Sequence, residues 1–431
     1  MGEQVTGRDR AALRDAAKSV AEIAGSPVMQ GRIKAWTDHN DLKPTRAMAL
    51  IELGGLGPEI GMLLGAYPKA GEFLRRRCEG DFAATMEERI KGRCLSHLTV
   101  DDDSVVDACY DLGWEVGQGD YGVHGEVTRG RDGSGRSLGY KVDPPIKDIA
   151  EAPKLLRARR FTCDKAKSLE AKAVAEDLIG DILEVRMRRP YWWTMGMTWR
   201  LIDLVGMEAM MVGMVEDPDS VHWLMGFLCE DHIAFAEYLE SEGLFCANTG
   251  NDYIGSGSRG YVSPRADGGP GVGPNGGARL RDNWVLLESQ ETTCISPGMF
   301  AEFIYPYQKR IADRFGHVYY GCCEPVEGRM RYLRGMGNLR SVSVSPWSDQ
   351  EAMAAECAGR HVFSRKPAPS LLSGFELTDG EIMADVEGTA RIASGCSLEI
   401  VMKDLHTVNG DISRVRRWVD AARAALGTVG K

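Results

Sequence analysis

A chain of 431 residues, 43% hydrophobic and 26% charged, has an ordinary globular-enzyme composition and the length for one large barrel with an added N-terminal part, or for two domains. Its formal charge of −10 argues against a nucleic-acid partner, because phosphate binding needs a basic face. No apolar run approaches the ~18 residues that cross a bilayer, and Met1-Gly2-Glu3-Gln4 lacks the basic and apolar parts of a signal peptide, so a cytoplasmic protein is expected. The eleven cysteines are scattered, without repeated CxxC pairing, and are expected as reduced thiols. Cys78, Cys229 and Cys357, in helical patterns, read as small buried apolar residues.

In chain order, the first expected strand is 47–52, followed by helices across 58–93 and a second strand at 103–110. Arg75-Arg76-Arg77 and the arginines of 157–160 read as solvated helix faces. The Gly-rich stretch 117–139 reads as a β-hairpin turning at Arg131-Asp132-Gly133-Ser134-Gly135. From Tyr191 onward, short apolar runs at 191–195, 244–247, 284–287, 317–320, 339–344, 361–363 and 398–402 alternate with amphipathic segments. Those segments are 297–315, 328–336, 349–358, 378–393 and 412–426. The alternation implies parallel strands with crossover helices. Helix starts carry caps: Ser296 before Pro297, Ser348 with Glu351, and Thr378 with Glu381.

The strand candidates exceed by one the positions of a βα-barrel, and either the 244 or the 284 run is suspected of lying outside it. Between these runs, 263–282 is Gly- and Pro-rich, too irregular for a helix and too long for a turn, as functional loops often are. The chain divides into 1–150, with N-terminal helices, first barrel strands and hairpin insertion, and 151–431, the remainder of the barrel.

Strand ends are where the catalytic groups of such barrels collect. After 317–320 come Cys322, Cys323, Glu324 and Pro325, and after 398–402 come Lys403, Asp404 and His406. Cys322, Cys323, Glu324 and His406 are the candidate metal ligands, with packed thiols and a rim carboxylate as the plainer alternative. Lys403 can neutralise a leaving anion, and Asp404 can orient His406 or take a proton. A structural Lys–carboxylate pair is the alternative there. Glu288 ends the 284–287 run as a third strand-end acid. Asn248 and Asp252, in a polar turn, and Arg365 and Lys366, after 361–363, are candidate substrate contacts, as is Trp193 in the Trp192-Trp193 patch. Turn chemistry, surface use and core packing are their respective alternatives. Gly255-Ser256-Gly257-Ser258 is set aside as a phosphate loop, since no Lys-Ser/Thr and no helix pattern follow it.

Gly206-Met207-Glu208, Glu216-Asp217-Pro218-Asp219-Ser220-Val221, Ile295-Ser296-Pro297-Gly298-Met299-Phe300 with Pro306, and Pro367-Ala368-Pro369-Ser370-Leu371-Leu372, in that order, resemble the uroporphyrinogen decarboxylase superfamily. The resemblance covers about 190–425 well and the rest weakly. It implies an α/β fold, a (β/α)8 TIM barrel of the uroporphyrinogen decarboxylase type with an N-terminal helical and hairpin elaboration. The porphyrinogen decarboxylases carry an Arg-rich loop after the first strand, whereas this chain has Leu50-Ile51-Glu52-Leu53-Gly54-Gly55, so porphyrin decarboxylation is not expected. The methyltransferase branch places a His-x-Cys pair at a strand end and a further Cys at the end of the last strand, binding zinc. Here the pair reads Tyr320-Gly321-Cys322, with Tyr320 in the histidine's place among the candidate catalytic groups, and Cys396 precedes the last strand, at the wrong barrel face.

What the resemblance implies is methyl transfer between a small methylated compound and a corrinoid protein, which supplies the cobamide; zinc is the implied metal, with its usual ligand set absent or rebuilt. A homodimer is compatible with the sequence. A decarboxylase or other lyase acting on a small acid, and a non-catalytic ligand-binding barrel, are the alternative readings.

Overall fold

The computed structural model describes residues 5–131, 137–189, 194–264, 273–374 and 378–429. Its first helices, Gly7–Ala24 and Pro27–Asn40, start where the sequence supplies caps: Thr6 accepts from the Asp9 amide and Ser26 from that of Met29. Pro27 takes the first helical position, where its missing N–H costs nothing. Strands follow as β1 (Met48–Ile51), β2 (Cys109–Gly113), β3 (Glu184–Arg188), β4 (Trp284–Leu287), β5 (His317–Tyr320), β6 (Leu339–Val344), β7 (Val362–Arg365) and β8 (Ser397–Met402). A hairpin, Glu126–Arg131 with Ser137–Asp143, projects from the insertion, and its turn lies outside the described residues.

Six strands form one all-parallel sheet in the order β1-β8-β7-β6-β5-β4. Side chains alternate across it. One face presents Val285, Leu287, Val318, Val342, Val344, Phe363, Leu398, Ile400 and Met402 to the main apolar core, shared with helices such as Pro218–Ser241 and Ser413–Val429. Full burial of each such side chain contributes about 1.5–3 kcal/mol. The other face carries Leu286, Tyr319, Ser343, Ser364 and Glu399, a polar interior.

The expected eight-stranded barrel ladder is reached in part. β2 pairs with β3 in a separate parallel two-stranded sheet. On the β1 edge, carboxylates extend the sheet: Asp103 and Asp102 accept from the Ala49 and Ile51 amides at 2.8 and 3.0 Å. On the β4 edge, the Asn248 side chain bonds both backbone groups of Trp284, at 2.8 and 3.0 Å. Asn251 then reaches the Val105 carbonyl at 2.8 Å, tying the segment after residue 248 to the one before β2.

Several expectations need correction. The strand expected at 103–110 begins at Cys109, because Asp102 and Asp103 are spent on β1. The 244–247 run is not a strand, whereas 284–287 is. β3 was not anticipated, and the 191–195 run lies mostly outside the described residues. Helix 297–315 is two helices, Pro297–Phe303 and Tyr305–Ala312. Asp349, not Ser348, caps Gln350–Cys357, while Ser296 caps as expected and Thr378–Glu381 forms a full capping box. Cys78, Cys229 and Cys357 are buried, although Cys78 lies between helices. Arg159 is no solvated helix residue: its guanidinium is buried against Asp231 at 2.6 Å. No helix among the described residues is long and apolar enough to cross a membrane.

Candidate active site at the strand ends

Gly321, directly after β5, has φ +94°, and a Cβ there would lie 3.2 Å from that of Ser343. Glycine therefore permits the turn after β5, and Cys322 follows it into the polar interior. Its Sγ accepts from the Ser256 hydroxyl at 3.7 Å and lies 3.6 Å from Cys323 Sγ. From the end of β8, Lys403 Nζ donates to the same Ser256 oxygen at 3.1 Å and stands 3.9 Å from Asp404. Cys322 and Lys403 are 3% and 7% exposed, whereas Cys323, Asp404 and His406 are open to solvent. Buried reactive groups thus lie beneath accessible ones.

The two thiols behave as a pair. The hydrogen bond between the two thiols, with burial, holds the Cys322 thiol far above the ordinary thiol range. The same bond draws Cys323 below it, with the Lys403 ammonium helping. Cys323 is therefore the more acidic thiol of the pair.

Ser256 comes from a loop that fills the polar interior. Gly255 and Gly257 have φ +112° and +97°, and added Cβ atoms would come within 2.3 Å of the Tyr319 ring and 2.6 Å of Val401. Beneath the loop, Ser258 donates to Glu399 at 2.8 Å, Ser364 donates to the other Glu399 oxygen, and Tyr319 donates to Ser364 at 2.8 Å. Lys366 Nζ donates to Tyr319 at 2.9 Å, and His39 Nε2 lies 3.4 Å from Glu399. Burial opposes the Glu399 charge, yet His39, Lys366 and Ser364 hold its pKa below the usual carboxylate range. Burial pushes Lys366 down to about 8.

The other expected site residues fall elsewhere. Strand parity turns Tyr320 and Arg365 to the helix side. Tyr320 donates to Gln308 at 2.9 Å and shares a hydrogen bond with Ser289, while Arg365 lies buried 3.6 Å from Asp385. Asn248 is committed to Trp284 and Asp252 to an ion pair with Arg188. Trp193 lies outside the described residues. Glu288 is wholly buried, accepting from Thr194 at 3.1 Å and the Gln290 amide at 3.0 Å. Burial first, then Glu291 and Glu324, raise its pKa well above the carboxylate range.

Glu324 accepts the Ser289 and Cys322 amides, each at 2.9 Å, and so clasps the loops after β4 and β5. Burial raises its pKa. With both Glu324 oxygens so engaged, at most the two thiols and His406 are left of the expected quartet, and a closed zinc site needs four ligands. No group of three or more His, Cys, Asp or Glu that could hold a metal ion is found among the described residues. The residues present do not fit zinc as expected.

Ser256, Ser258 and Glu399 were missed. A lone glutamate inside the apolar 397–402 run, at the parity of Lys403, and glycines two apart flanking a serine were the available signals.

No protein-family model matches this chain, and no curated protein matches it. Among solved structures, one described as a methyltransferase from Methanosarcina mazei is similar over 93% of this chain and 99% of that one, with 12% sequence identity and a TM-score of 0.47.

Proposed function

We propose that this chain is a methyltransferase that moves a methyl group between a small methylated compound and a corrinoid protein. One observation carries the reading: an accessible thiol, Cys323, beside a buried thiol and a buried lysine at the ends of parallel strands. The sequence resemblance to the corrinoid-dependent branch supports the same chemistry.

A methyl carbon is a soft electrophile, and a thiolate is a matched nucleophile for it. As Cys323 Sγ attacks, an S–C bond forms and the bond from carbon to the donor atom breaks, the electron pair leaving with that atom. Where that atom is oxygen, nitrogen or sulfur, Lys403 stands beside the developing charge and supplies its proton; passing the methyl group on to the acceptor breaks the S–C bond and returns the electron pair to Cys323 as thiolate. Ser256 fixes the ammonium, and Cys322 keeps Cys323 ionised until attack. A cobamide, when the partner protein is bound, supplies the carrier for the methyl group.

The test is incubation with isotopically methyl-labelled methylcobalamin, followed by mass spectrometry of the peptide holding Cys322 and Cys323. A label on Cys323 that is lost in Cys323→Ser and slowed in Lys403→Met is expected. No label, together with carbon dioxide release from small acids in the absence of any corrinoid, would replace this reading with the lyase.

A further inference from the structure

A cavity of about 450 Å³ is walled, among the described residues, by three arginines (Arg159, Arg189, Arg200), three aromatic rings (Tyr121, Trp199, Phe235) and no carboxylate. Arg159 is fixed in that wall by Asp231 at 2.6 Å and by Gln118 at 2.8 Å. Arg200 is held differently. Its nearest carboxylate, Asp203, is 3.7 Å away, beyond hydrogen-bond distance, and its guanidinium lies 5.1 Å from the Trp199 ring centre and 5.9 Å from that of Tyr121.

Helix Thr198–Val205 starts at Met197, with φ +71° and no side-chain cap, and Met197, Trp199 and Arg200 all line the cavity. The Thr198 hydroxyl donates to Glu291 at 2.7 Å, so a carboxylate already stands at this helix start and the cavity's positive charge is that of its arginines. His232, in the same wall, is pushed down to about 4, chiefly by burial, so it lends the cavity no positive charge. Flat rings beside a guanidinium favour a flat ligand with a charged end.

We propose that this cavity binds a flat organic anion, a carboxylate on an apolar ring, with Arg200 holding the carboxylate and Trp199 and Tyr121 flanking the ring. Thr194 of the same wall donates to Glu288 at the end of β4, which puts the cavity one side chain from the strand-end acids. Only the ligand's role as methyl-transfer substrate rests on the function proposed above; its binding does not.

Isothermal calorimetry on the full chain tests this with benzoate, benzamide and inorganic phosphate. Benzoate binds, and benzamide, which lacks the charge, binds about tenfold more weakly or worse. Arg200→Gln weakens benzoate by a similar factor without changing benzamide, and Arg200→Lys recovers part of the loss. Trp199→Leu weakens benzoate and benzamide alike, which keeps the proposal open to refutation should Arg200→Gln fail to fold. Equal binding of benzoate and benzamide, no benzoate binding, or phosphate binding as tightly as benzoate overturns it. Benzoate binding in a protein that never takes up labelled methyl upholds the cavity and overturns the methyltransferase reading, so the two failures are distinguishable.

Discussion

From β4 through β5, β6, β7 and β8 to β1, each neighbour is joined by a backbone ladder, whereas β2 and β3 pair only with each other. The sheet's edges are met chiefly by side chains, Asp102 and Asp103 at β1 and Asn248 at β4, with one backbone bond at each, from the Asp103 amide to Ala49 and from the Met195 amide to Leu286. A ladder bond needs no particular side chain, so any apolar, β-branched run can make it. A side-chain bridge needs one residue type at one position. The laddered half should therefore tolerate substitutions of polar side chains that the bridged edges cannot.

Asp103→Ala strikes a bridged edge and should have the largest effect. The carboxylate is 1% exposed and holds both the Ala49 amide and the Arg46 guanidinium. Its loss should cost about 3 kcal/mol, the scale of a charged hydrogen bond removed from a buried donor. Urea unfolding at neutral pH would show it, and an unchanged midpoint would mean that the edge is not held this way.

Glu288, at the β4 edge strand, offers a pH test of intermediate size. Its folded pKa is raised by burial and by neighbouring acids, so the folded state binds more protons than the unfolded chain above the ordinary carboxylate pKa. Stability then falls as pH rises from that value through the raised one. Glu288→Gln should remove this downward slope, read as the difference between unfolding curves on either side of pH 6.

Ser341, inside the laddered half, should matter least. It is wholly buried and its hydroxyl has no hydrogen-bond partner among the described residues, so Ser341→Ala should change stability by less than about 0.5 kcal/mol or increase it. A loss comparable to that of Asp103→Ala would erase the distinction between the two halves.

The same distinction governs what can be read from the sequence. The runs that became β4, β5 and β8 were recognisable because they are nearly continuous in apolar residues, while β6 and β7 each hold at least two apolar residues among serines and arginines. β3, Glu-Val-Arg-Met-Arg, alternates charge with apolar residues beside a second short strand and shows no such run. Cys322 and Lys403, which follow strands that are distant in sequence, meet through Ser256, with Cys323 beside Cys322. Strand parity explains why Tyr320 and Arg365, read as site residues, face the helices. The flanking glycines marked Ser256 but not its partners, which follow β5 and β8 and are distant in sequence, and periodicity carries no information about such meetings.

The loop through Gly255 and Gly257 also dictates when the mouth can exist. Ser256 and Lys403 are separated by 147 positions, and Ser258 and Glu399 by 141. Contacts of such long range are slow to form, because much of the intervening chain must be ordered before they are rewarded. During synthesis the loop emerges well before β8, so its serines and the polar lining of β5 to β7 must wait, hydrated, for Glu399 and Lys403. The thiol pair thus spends the nascent chain's lifetime without its ammonium and becomes reactive in its native form only after the last strand has docked.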